Sequence, residues 1–77
     1  MSAKLEGFVA QVKKRGRLEM QWSEFRNTHF SEADEQFARA TVLRWFAERG
    51  IHGTIEAHHL GWRDVEVLVL EQMGDHP

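Results

Sequence analysis

The segment SEADEQFARATVLRWFAER, Ser31 to Arg49, followed by Gly50, carries a helix start, a helical apolar face and a helix stop. The Ser31 hydroxyl is placed to accept from the unpaired amides of a first turn. Glu32, Asp34 and Glu35 put negative charge at the positive end of the helix dipole, with Asp34 at the third helical position as a weaker capping-box partner. Arg49 suits the opposite end, and Gly50 can adopt the left-handed conformation that closes a helix, with Ile51 folding back onto Phe46. At about 100° per residue, Ala38, Val42, Trp45 and Phe46 share one side, flanked by Thr41 and Leu43, with Phe37 further round. Gln36, Ala40, Ala47 and Glu48 face water, and Arg39 and Arg49 border the apolar arc with their stems. An arc this wide fits a helix lying across a sheet.

On either side of this helix the sequence alternates. Leu5 to Val12 reads as a strand with Phe8, Ala10 and Val12 on one face and Leu5, Val9 and Gln11 on the other. Lys13-Lys14-Arg15-Gly16 reads as a hairpin turn, with Gly16 supplying a positive φ. Arg17 to Phe25 alternates with Leu18, Met20 and Trp22 inward. Arg26 to Phe30 is a polar connector. Beyond Gly50, Ile51 to His59 alternates again, Leu60 to Asp64 reads as a turn, and Val65 to Leu70 as a last strand, with a frayed tail from Gln72. The expected fold is therefore α+β with order ββαββ. It has a four-stranded antiparallel sheet with one helix packed on one face. In that arrangement Phe8, Ala10, Val12, Leu18, Met20, Trp22, Ile55, Ala57, Val65, Val67 and Val69 face the helix. Leu5, Val9, Leu68 and Leu70 emerge on the open face, where grouped apolar side chains suggest a partner or a homodimer.

The 77 residues form a single domain, 1–77, and contain no cysteine, so no disulfide or thiolate metal site can staple them. No apolar run approaches a membrane span and no signal-peptide core opens the chain, so a soluble, cytoplasmic protein is expected. The net charge of −2 is uneven: six cations against three carboxylates through Phe30, four against nine from Ser31 onward. Such a bipolar surface suits protein docking.

Candidate chemistry is sparse. His52, Glu56 and His58 share a strand face, and His58 with Glu56 has a chelating spacing, yet no third ligand is fixed, with His59 and His76 the nearest options. Solvated strand histidines are the commoner arrangement, and no metal or cofactor is expected. There is no tyrosine, and serine occurs only at Ser2, Ser23 and Ser31. No nucleophile, base and orienting acid assemble into a motif, so an enzyme is not expected. The cations Lys13, Lys14, Arg15 and Arg17 could straddle a phosphate backbone, with Trp22 or Trp62 stacking on bases. The acidic balance of the whole chain argues against this, and solubilising turns of this composition are common. Glu32, Asp34 and Glu35 serve either the helix dipole or an acidic surface that meets a basic partner. Trp62 and Arg63 either pack under their own turn or stand out as interface anchors.

A short, cysteine-free, unevenly charged α+β chain of this layout resembles the small phage-encoded anti-CRISPR inhibitors. The resemblance covers the whole chain in size and layout and carries no diagnostic motif, so no residue role transfers from it. It implies a stoichiometric, non-enzymatic inhibitor that binds a CRISPR surveillance (Cascade-type) complex and blocks target DNA binding. From the residues themselves, a protein-binding function is expected through Glu32, Asp34, Glu35, Trp62, Arg63, Leu68 and Leu70, in a monomer or homodimer. The alternative is a small nucleic-acid-binding module using Lys13, Lys14, Arg15 and Arg17.

Overall fold

A computed structural model of the chain describes residues 3–30 and 34–73. Its elements run α1 (Ala3–Arg15), β1 (Arg17–Gln21), α2 (Trp22–His29), α3 (Glu35–Ala47), β2 (Ile51–Leu60) and β3 (Arg63–Gln72). The strands form one antiparallel sheet in the order β1-β3-β2. The four-stranded, single-helix ββαββ arrangement is therefore corrected to three strands and three helices.

The largest correction is α1. Leu5, Val9 and Val12 are buried, with Phe8 packed against the same cluster, a spacing that lines one side of a helix. Each such burial contributes about 1.5–3 kcal/mol. Lys13, Lys14 and Arg15 are the last helical turn, where cations meet the negative end of the dipole. Gly16 has the expected positive φ, 89°, but it ends a helix: its N–H donates to the Val12 carbonyl at 2.6 Å.

β1 keeps the expected alternation, with Leu18 and Met20 against the core and Arg17 and Glu19 exposed. It stops at Gln21, four residues before the expected end. Trp22 and Phe25 are three apart and both buried, so Trp22 to His29 winds as α2 where a strand end and a connector were expected. Phe25 then sits among Phe8, Trp22, Phe30 and Phe46 with ring centroids 5.7–6.5 Å apart.

α3 matches its expected faces closely. Ala38, Val42 and Phe46 are buried, Leu43 and Trp45 pack beside them, and Phe37 stays 62 % exposed. The Arg49 guanidinium lies 3.6 Å from the Trp45 ring centroid and donates to the Trp45 carbonyl at 2.9 Å. The N-cap is Asp34, whose carboxylate accepts from the Gln36 and Phe37 amides at 3.1 and 3.3 Å. Ser31 and Glu32, expected as cap and first turn, lie outside the described residues. Gly50 has φ 79°, as its closing role requires.

The hairpin register turns β3 over relative to the expected sheet, while β1 and β2 keep their expected faces. Leu60 pairs with Arg63 across a two-residue loop, Gly61-Trp62, and Ile55 therefore pairs with Leu68. Residues directly opposite in an antiparallel pair share a face. Leu68 and Leu70 are accordingly fully buried beneath the helices with Ile51, and Leu18 and Met20 join them from β1. Val65, Val67 and Val69 turn to the open face. Val69 is nonetheless only 2 % exposed, between its cross-strand neighbours Glu19 and Thr54 and beside an Arg17–Glu19–Glu71 ion network.

Candidate protein-docking site

The β2–β3 hairpin is longer than the sheet it belongs to. β1 pairs only with Val67 to Glu71, so residues 57–60 and 63–66 extend past it as a two-stranded ribbon. Four residue pairs at about 3.3 Å each carry the tip roughly 13 Å beyond the sheet. The molecule measures 42 × 29 × 18 Å, elongated accordingly. The turn forms because Gly61, at φ 63°, takes the first loop position while Trp62 keeps a negative φ, the φ signs of a type II′ hairpin.

This turn leaves Trp62 with nowhere to pack. It is 91 % exposed, Leu60 is 57 % exposed and Arg63 is exposed beside them. A large indole, an aliphatic side chain and a guanidinium thus share the end of a projecting ribbon. Behind them the ribbon is held by polar pairs: His59 Nδ1 meets Asp64 Oδ1 across the strands, and His58 Nε2 lies 3.2 Å from Glu56 Oε1 along one. Trp and Arg are the residue types that most often anchor protein interfaces, since each offers large contact area and a hydrogen-bonding edge.

Of the other expected docking residues, Glu32 lies outside the described residues, and Asp34, Glu35, Leu68 and Leu70 are committed elsewhere. Leu68 and Leu70 are core residues and present no surface. Asp34 is the α3 cap. Glu35 accepts from Trp22 Nε1 at 2.8 Å and Arg39 Nε at 2.7 Å, with Arg26 Nε 2.9 Å away as an ion pair. The Trp22 hydrogen bond, followed by the Arg39 contact, holds the Glu35 carboxyl below its ordinary range. Arg39 continues to Glu66 at 2.6 Å, so this network ties α2 and α3 to β3. Glu35 is thus a structural clasp.

Lys13, Lys14 and Arg15 are exposed together at the end of α1. Arg17 is not part of a free cationic patch, because Glu19 and Glu71 hold its guanidinium, with contacts of 2.6 Å to each. Of the two expected stacking platforms, Trp22 is buried and Trp62 is exposed at the hairpin tip. His52, Glu56 and His58 share the open face as expected, His76 lies outside the described residues, and among those described no three metal-ligating side chains converge.

Sequence reasoning missed one concave feature, a groove of about 340 Å³ between α1, β1 and α2. Phe8, Leu18, Met20 and Phe25 form its apolar part and Gln11, Glu19, Gln21, Glu24, Thr28 and His29 its polar part. The His29 ring packs against Phe25 and Phe8 at 4.8 and 5.7 Å. The signal for it was the helical spacing of Leu5, Phe8, Val9 and Val12, which places Phe8 at the border of the buried stripe. Among the described residues no helix is long and apolar enough to cross a membrane. No protein-family model matches the chain, and no curated protein or solved structure matches it either.

Proposed function

We propose that this chain is a non-enzymatic, cytoplasmic protein-binding module that engages its partner through the tip of the β2–β3 hairpin. The observation that carries the reading is Trp62, 91 % exposed at the end of a projecting ribbon with Leu60 and Arg63 beside it. An indole held this way has little backbone freedom left to lose on binding, so burying it in a partner's pocket costs less ordering entropy than fixing a loose loop. The sharper form of the proposal is a stoichiometric inhibitor of a nucleic-acid-guided complex. It rests on the small, cysteine-free chain, since the layout shared with anti-CRISPR inhibitors was the four-stranded one.

Two measurements test this. Added to a purified Cascade-type complex, the chain should lower target DNA binding at one-to-one stoichiometry, and a complex that binds DNA equally well with it present rules out that form. Independently, Trp62→Ala should leave the chain's own stability unchanged to within about 0.5 kcal/mol, as for exposed positions generally. The same change should weaken partner binding by about 2 kcal/mol or more, the range of an interface anchor. A partner bound as tightly by Trp62→Ala as by the wild type removes the tip from the site.

A further inference from the structure

The sheet has two edges, and only one is protected. β1 is five residues long and carries Arg17 and Glu19 in ion pairs. β2 is ten residues long, pairs with β3 from Ile51↔Gln72 to Leu60↔Arg63 without a bulge, and among the described residues has no strand on its other side. It contains no lysine, no arginine and no proline, the usual means of keeping an edge from pairing. The Met73 N–H donates to the Gly50 carbonyl. By the alternation of an antiparallel ladder, even-numbered residues of β2 then direct their backbone groups to β3. Residues 51, 53, 55, 57 and 59 direct theirs outward.

We propose that β2 pairs antiparallel with β2 of a second copy of this chain, with the two-fold axis at Ala57, to give a continuous six-stranded sheet. Charge selects the register. An axis at Glu56 sets that carboxylate against itself, and an axis at Ile55 sets His52 against His58 of the second copy. An axis at Ala57 sets Glu56 opposite His58 of the second copy, twice, at the closely spaced pairs where side chains meet best. Each imidazole N–H can then donate to a carboxylate. Glu56 and His58 already lie 3.2 Å apart within one chain, so the four groups form one cluster.

Packing allows the same register. α3 presses on β2 at Gly53, where an added Cβ would come within 2.9 Å of the Leu43 side chain. With the axis at Ala57, the two Gly53 positions are about 26 Å apart along the strands, at 3.3 Å per residue. Helices about 10 Å across clear one another at that distance. An axis at Ile55 halves the separation to about 13 Å, still wider than one helix, so charge sets the register. The outer edges of the pair are the two short, charged β1 strands, so the assembly closes as a dimer and does not extend.

Light scattering over a concentration series tests the proposal, with the mass rising towards about 18 kDa, twice the 9.0 kDa of one chain. Ala57→Pro removes an outward-facing N–H and no bond to β3, a position where proline is tolerated. That variant should keep the wild-type circular dichroism and melting curve yet remain at 9.0 kDa. His58→Glu should weaken the dimer about tenfold by opposing like charges, and Glu56→His combined with His58→Glu should restore it. The proposal is overturned by a wild type that stays at one chain mass at every concentration, or by a dimer that survives Ala57→Pro. It is equally overturned by a charge swap that fails to rescue, by growth into open-ended aggregates, or by a monomer that instead accepts a foreign strand at this edge.

Discussion

Glu35 shows how one carboxylate is diverted from surface chemistry into architecture. With Trp22, Arg26 and Arg39 converging on it, its charged form is favoured in the folded chain. A carboxyl whose pKa is lowered by folding contributes stability above its ordinary value, near 4.5, and loses it as pH falls through the folded value. Wild type should therefore melt higher than Glu35→Gln at neutral pH, and the gap should close as the pH is taken below about 4.5 in a series of thermal melts. A gap that stays constant down to strong acid would show that the carboxylate's charge is not what stabilises the contact. The neighbouring Asp34 was readable as part of the helix start. Which acid caps and which one clasps depends on where Trp22 and Arg39 arrive, and spacing alone does not carry that.

At the scale of elements, the divide between strand and helix in the first twenty-nine residues follows from small differences in spacing. LEGFVAQV satisfies alternation as written, yet its larger apolar residues Leu5, Phe8, Val9 and Val12 also fit a helical stripe, and burial of the stripe decides. Gly7 lies on the exposed side of α1, and a Cβ there meets no atom within 4 Å. Gly7→Ala should accordingly raise stability by about 0.5–1 kcal/mol in denaturant unfolding, as expected for a helix interior. A loss would argue that position 7 is not an open helix-interior site. The hairpin carries a related lesson. Reading Leu60 to Asp64 as a five-residue turn, in place of the observed two-residue loop, shifts the register by one and turns every side chain of β3 over. That is why the leucines and valines exchanged faces while both strands were recognised. α3 was legible down to Phe37 because its stripe and closing glycine agree, although the cap is Asp34 and not Ser31, whereas the open groove beside Phe8 needs the helical spacing of α1 and also its packing against β1 and α2.

Over the whole molecule, the uneven charge along the chain does not become a free basic pole. Arg17 is neutralised by two carboxylates, leaving Lys13, Lys14 and Arg15 as a small cluster at the end of α1. In gel shifts with duplex DNA the chain should give no salt-sensitive complex at physiological ionic strength. A shift that weakens steeply with salt and vanishes in Lys14→Glu with Arg15→Glu would transfer the function to nucleic-acid binding.

The central position of β3 has a further consequence for how the chain acquires its shape. Both neighbours of that strand precede it in the sequence, and Arg17 waits for Glu71, 54 residues later. Until β3 has been synthesised, β1 and β2 have no mate in this sheet and the helices have no floor, so ordering is expected to come late and in a single step. Truncation before Val65 should thus yield a chain with no cooperative melting transition rather than a smaller folded core.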